Sequence, residues 1–280
     1  MLIGVVGLGL IGGSMAKAIN QNTDYSVYGY DIDESISKKA ILVGATEGEL
    51  TEEMIPECDM IFLALYPEAT IKFVEDHAGK FKRDCIISDT GGIKKVVCDA
   101  IAPLAAEHGF TFIGTHPMAG VEHMGFEYSK KALFNGASLI LVPLQGTAIE
   151  KVDQLSHLAK QIGFSQTPVA DPDDHDRIIA YTSQLAHVVS SAYVKSPTAD
   201  DHYGFSAGSY RDMTRVAKLN EVMWTELFLE NPDHLADELD GLIERLQEYS
   251  RVIRERDEET LCRLLKEGRE RKLQIDNEIF

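Results

Sequence analysis

The chain has 280 residues, 44% of them hydrophobic, and 45 acidic side chains against 27 basic ones give a formal net charge of -18. That length and apolar content support one large or two modest packed domains. The acidic balance argues against a nucleic-acid partner or an anionic membrane surface, and an anionic small-molecule ligand would need a local cluster of positive charge.

No apolar run reaches the roughly 18 residues that a membrane-spanning helix needs, and the N-terminus enters an apolar strand with no basic leader, so neither a membrane segment nor a signal peptide is expected. The four cysteines, Cys58, Cys85, Cys98 and Cys262, show no C-x-x-C pairing and read as reduced thiols of a cytoplasmic protein. The nine histidines include no H-E-x-x-H and no Cys/His cluster, so no metal is expected.

The first element is the run Leu2 to Val6, followed by Gly7-Leu8-Gly9-Leu10-Ile11-Gly12. An apolar strand that ends in glycines and turns helical is the layout of a dinucleotide-binding turn. Gly7 would allow the sharp turn, Gly9 would let the backbone approach a pyrophosphate, and Gly12 would let helix and strand pack closely. The free N–H groups around Leu10 and Ile11 would then face the phosphate charge. A second apolar run ends in Asp31, 19 residues past Gly12. A carboxylate there can accept hydrogen bonds from an adenosine ribose and would repel a 2′-phosphate, which favours NAD over NADP.

Further apolar runs at 60–65, 85–88, 111–113 and 138–142 alternate with helical stretches near 35–43, 68–80 and 94–106. A last helix and strand near 149–169 would complete the set. This alternation predicts an α/β domain over 1–170, a Rossmann-type doubly wound and mostly parallel sheet. The composition then changes. Residues 1–170 hold 18 of the 22 glycines, while Arg83 is the only arginine before Arg177. An all-helical C-terminal domain is expected over 171–280.

Its first helix has clear start signals. Asp171 can cap it, Pro172 fits the first helical position, and Asp173, Asp174 and Asp176 complement the helix dipole. Ile178, Thr182, Leu185, Val189 and Ala192 would share one face. Ala180, Ser183, His187, Ser190 and Val194 would share the other, so the helix can be buried on two sides. The tail from 237 to 272 reads as a long charged helical region. Its apolar stripe of Leu239, Leu242, Leu246, Tyr249 and Ile253 would pack within the chain or against a second subunit.

Reactive groups are expected on loops beyond the carboxyl ends of the strands. After the run 111–113 comes Gly114-Thr115-His116-Pro117-Met118-Ala119-Gly120, then Glu122 and His123. His116 lies where it could reach a nicotinamide, and an imidazole can take a proton from an alcohol as hydride leaves its carbon; a loop histidine that only caps backbone groups is the alternative. Arg211 and Arg215 are four residues apart and share a helix face, where a guanidinium can grip a carboxylate or form a surface ion pair with Asp212. His187 and the single tryptophan, Trp224, read as packed core side chains.

Taken together, Gly7-x-Gly9-x-x-Gly12-Gly13-Ser14, the His116 to Gly120 run, Gln184-x-x-His187, Arg211-Asp212-x-Thr214-Arg215-x-Ala217 and the Met223-Trp224 pair resemble the prephenate/arogenate dehydrogenase family of tyrosine biosynthesis, in order and over essentially the whole chain. The resemblance implies oxidative decarboxylation of a cyclohexadienyl substrate, with hydride transfer to NAD+, in a site between the two domains. It implies His116 as the base on the ring hydroxyl and Arg215 as the holder of a substrate carboxylate. His187 would bind substrate from the helical side, Glu122 would shape the site, and the helical domain would form a homodimer. Two departures stand out. A serine that contacts the ring hydroxyl in many relatives is replaced by Gly92, which leaves Thr90, Thr115 or water for that contact. His123 stands where many relatives carry lysine. A β-hydroxyacid dehydrogenase would share the glycine turn but needs a catalytic lysine in a glycine-rich helix, and Lys195 and Lys218 have the wrong neighbours. A non-catalytic NAD-binding sensor is favoured only by Gly92.

Overall fold

The structure, a computed structural model, describes residues 1–120 and 123–279. The chain forms two compact units, Met1–Asn231 and the segment from Pro232 onward.

The first unit is built on a seven-stranded sheet: β1 (Leu2–Val6), β2 (Ser26–Tyr30), β3 (Gly48–Glu49), β4 (Met60–Leu63), β5 (Ile86–Asp89), β6 (Thr111–Pro117) and β7 (Leu139–Pro143), in the order β3-β2-β1-β4-β5-β6-β7. All neighbours run parallel except β6 and β7, which pair antiparallel from Ile113↔Pro143 to Pro117↔Leu139. The strand expected after the last α/β helix is reduced to two isolated bridges, Ser138↔Gln166 and Leu141↔Val169. The chain winds outward from β1 to β3, then restarts at β4 on the other side. This puts the topological switch between β1 and β4, where such sheets hold ligands.

Side chains alternate across the sheet with the two-residue period of a strand. Ile3 and Val5 of β1 join Met60 and Phe62 of β4 in one buried layer, with Met15 and Ile19 of helix α1 (Leu10–Asn22). Val6, Ile61 and Leu63 join the other, against Val74 of α3 (Pro67–His77) and Val97 and Ile101 of α4 (Lys95–His108). Helix α2 (Glu34–Leu42) follows β2, and α5 (Ile149–Gln161) follows β7. Burial on both faces explains why the strands read as continuous apolar runs rather than alternating ones. It also pushes the Cys58, Cys85 and Cys98 thiols up to about 12, which leaves them inert.

After the sheet, Asp171 caps α6 (Pro172–Ile179) by accepting the N–H groups of Asp173 and Asp174. The expected continuous helix is broken by a π-turn, Ala180–Gln184, before α7 (Leu185–Tyr193). The wider turn shifts the helix phase: Ala180 and Ser190 are buried as expected, but Ile178, on the other predicted face, is 46% exposed, and Thr182 and Ala192 are exposed as well. Two further helices, α8 (Gly208–Thr214) and α9 (Glu221–Leu229), complete the unit; Asn220 caps α9 through the N–H of Met223.

The second unit is a pair of helices, α10 (Pro232–Glu255) and α11 (Glu258–Ile279), which contact each other. The single long region expected here is interrupted at Arg256, whose φ of 57° turns the backbone left-handed, and Asp257 then caps α11 by accepting the N–H of Thr260. Among the described residues, no helix is long and apolar enough to cross a membrane.

Candidate functional site

The glycine turn lies at the carboxyl end of β1. Gly7 has a φ of 83°, and a Cβ there would sit 2.4 Å from the carbonyl oxygen of Ala64, just past β4. A Cβ at Gly12 would sit 1.8 Å from the Gly7 oxygen, so the helix approaches the strand more closely than any side chain permits. A Cβ at Gly9 would meet nothing within 4 Å, so this position faces open space. Gly9 starts α1 without a side-chain cap, which leaves the first-turn N–H groups near Leu10 and Ile11 directed outward. Asp31, just past β2, reaches back to the turn: its carboxylate accepts the N–H of Leu8 at 2.8 Å and that of Asp33 at 3.0 Å. An open glycine, a helix N-terminus and a carboxylate at the next strand end fit a dinucleotide.

His116 lies on β6 near its carboxyl end, partly buried, and its Nδ1 is 3.0 Å from Nε2 of His175 on α6. Nδ1 of His175 is in turn 2.6 Å from the Asp176 carboxylate. Both Asp176 oxygens are already engaged, one by the N–H of Lys94 and the other by the N–H of Lys95, each at 2.8 Å. Helix α4 has no side-chain cap of its own, so Asp176 of α6 supplies one. Beneath the histidine, Lys94 and Asp89 form a fully buried ion pair, and Asp89 also accepts the N–H groups of Gly91 and Thr115. Burial first, then the electrostatic influence of His175 and Lys94, holds the His116 imidazole well below the usual histidine range.

Thr115 does not face the crevice. It is fully buried, its hydroxyl donates to the Asp89 carbonyl and accepts from Ser88, and the expectation of a substrate contact there gives way to a role inside the sheet. Gly92 leaves a gap. A Cβ there would lie 3.7 Å from Cδ1 of Leu227 on α9 and 4.0 Å from Cε1 of His116. Glu122 lies outside the described residues. His123 stacks on Tyr128.

On the helical side, the His187 ring stacks on Trp224 with centroids 3.8 Å apart, and Nδ1 of His187 donates to the carbonyl of Ser183. Its Nε2 is therefore the ring's acceptor. Burial and the nearby Arg215 charge lower its pKa despite that hydrogen bond. Trp224 is only partly buried, so the expectation of a core residue is replaced by a ring on the histidine. Arg211 and Arg215 are both exposed. A run of contacts connects the two sides: His116 borders Gly92, Gly92 borders Leu227, Trp224 lies one turn earlier on α9, and its partner His187 feels Arg215. Gln184, in the π-turn, fixes the end of α9 by donating to the Leu227 carbonyl, and Asn231 donates to both Gln184 and the Asp176 carbonyl.

Sequence reasoning missed His175 and gave Asp176 only a dipole role. The available signal was a histidine flanked by carboxylates in a helix whose first turn already held a cap and two acids. The geometry is that of the dinucleotide-binding α/β proteins with an appended helical segment.

Comparison with known proteins narrows this. Residues 15–166 match the family profile described as prephenate dehydrogenase, nucleotide-binding domain, and residues 171–267 match prephenate dehydrogenase, dimerization domain. The chain is 29% identical to the prephenate dehydrogenase of Bacillus subtilis, over 95% of this chain and 74% of that protein, and 29% identical to the cyclohexadienyl dehydrogenase of Zymomonas mobilis, over 98% and 95%. A crystal structure of prephenate dehydrogenase from Aquifex aeolicus with hydroxyphenyl propionate and NAD+ aligns with a TM-score of 0.87 at 26% identity, covering 98% of each chain. The chain belongs to the prephenate/arogenate dehydrogenase family.

Proposed function

We propose that the protein is an NAD-dependent prephenate dehydrogenase that converts prephenate to 4-hydroxyphenylpyruvate and CO2, as a cytoplasmic homodimer joined through its helical segment (171–280). The observation that carries this reading is the placement of His116. It is a partly buried imidazole at the carboxyl edge of the sheet, on the same edge as the open glycine turn, with its pKa held low by burial.

When bound, NAD+ supplies the hydride acceptor. Gly7, Gly9 and Gly12, with the N–H groups of Leu10 and Ile11, would hold its pyrophosphate, and Asp31 its adenosine ribose. His116 would accept the proton of the ring hydroxyl as the carbonyl develops. Gly92 has no hydroxyl and that of Thr115 is bonded inside the sheet, which leaves Thr90 or water to accompany His116 at the ring oxygen. Arg215 would grip a substrate carboxylate, His187 would help bind the substrate from the helical side, and Glu122 would shape the site and its access. A dianion entering a protein of charge -18 needs such a grip. Loss of the ring carboxylate as CO2 restores aromaticity.

The test is direct. The purified chain is incubated with NAD+ and either prephenate or arogenate, and NADH absorbance is followed. Turnover of prephenate in preference to arogenate is expected. Preference for arogenate would change the substrate assignment, and no turnover of either would overturn the reading.

A further inference from the structure

Three side chains form a line from the interior to the crevice: Asp176, His175 and His116. The two spacings are 2.6 Å and 3.0 Å, and the imidazole rings tilt by 58° to each other. His175 and Asp176 are both buried. The donors and acceptors follow from the inner end. Asp176 accepts two backbone N–H groups, one on each oxygen, as a carboxylate does. Nδ1 of His175 must therefore carry the hydrogen that meets Asp176. With Nδ1 of His175 carrying its single ring hydrogen, Nε2 is bare, and Nδ1 of His116 donates to it. What remains on His116 is a lone pair on Nε2.

We infer that His175 and Asp176 are positioning residues that hold His116 as its Nδ1–H tautomer, with the Nε2 lone pair directed to the crevice. The inference rests on the proposed role of His116 as the proton acceptor. It adds a carboxylate one imidazole away that faces the charge as His116 takes the proton, the arrangement by which an aspartate orients a catalytic histidine in other enzymes. Neither residue touches substrate, and both act through His116.

The test uses the full chain saturated with NAD+ and labelled with 15N-histidine; the His116 signals are assigned by their loss in His116→Asn. The expected pattern is a protonated, pyrrole-type Nδ1 and a bare, pyridine-type Nε2. The reverse pattern would overturn the inference. His175→Phe removes the acceptor and should lower kcat by about 10²-fold, the low end of what a general base contributes, with little change in KM for either substrate. His175→Gln keeps an oxygen that can accept the Nδ1–H and should recover at least half of that loss on a logarithmic scale. Equal damage in the two variants would make His175 merely structural and overturn the inference. If His175→Phe does not fold, the parent spectrum and His175→Gln still decide. Failure of the parent to turn over any cyclohexadienyl substrate, with the expected 15N pattern intact, would remove the proposed function and leave the positioning pair standing.

Discussion

Asp176 Oδ1 accepts the backbone N–H of Lys94 at 2.8 Å across 82 positions of sequence. Its second oxygen holds the N–H of Lys95, so one carboxylate caps α4 and also orients the histidine pair. Two hydrogen bonds to a charged acceptor are worth about 1.5–3 kcal/mol each, and losing them strands buried donors. Asp176→Ala should therefore destabilise the fold by about 3 kcal/mol or more, measured by denaturant unfolding. A loss under about 1 kcal/mol would show that water or a neighbour takes over the cap.

The space at Gly92 invites a side chain. A Cβ there meets only ordinary contacts, with Leu227 at 3.7 and 3.8 Å and His116 at 4.0 Å, and the backbone is not left-handed. Gly92→Ser should fold with a stability change within about 0.5 kcal/mol and place a hydroxyl beside His116. Under the proposed function it should lower KM for prephenate. A large loss of stability would mean that the backbone at this turn needs glycine.

Glu230, at the end of α9, has a buried carboxyl oxygen with no hydrogen-bond partner among the described residues. Burial, then the charges of Glu226, Asp176 and Glu68, lifts its pKa from 4.5 to about 7. A carboxyl whose folded value is raised contributes stability that is full below its unfolded value and is lost as pH rises through about 7. Glu230→Gln should thus stabilise the protein above pH 7 and do little at pH 5, read from melting temperatures at the two values. An equal effect at both would contradict the shift.

Arg215 is proposed to hold a substrate carboxylate. One charge-assisted hydrogen bond of about 1.5–3 kcal/mol corresponds to about a ten- to hundredfold rise in KM for prephenate in Arg215→Ala, with kcat largely kept. An unchanged KM would make the arginine structural.

How much of this was legible in the sequence depends on the range of the physics involved. The glycine turn could be read because Gly7 and Gly12 answer to atoms at most a few strands away, and the apolar runs marked the sheet because burial on both faces leaves a local trace. The π-turn at Ala180–Gln184 left no periodic signal, since one extra residue in a turn changes the phase and not the composition. His175 was invisible because its meaning comes from His116, 59 positions earlier. Thr115 was read as a loop residue because the apolar run stops at Ile113, whereas β6 continues to Pro117 and takes Thr115 into the sheet. The break at Arg256 needed a left-handed residue that is not glycine, and sequence rules seldom place one.

The account depends most on His116 as the proton acceptor. The measurement that tests it most directly is kcat for prephenate in His116→Asn, taken beside the NAD+ dissociation constant of the same variant. The expected result is a fall in kcat of about 10²–10⁴-fold with NAD+ affinity unchanged. Near-normal kcat in a folded, NAD+-binding variant would contradict it.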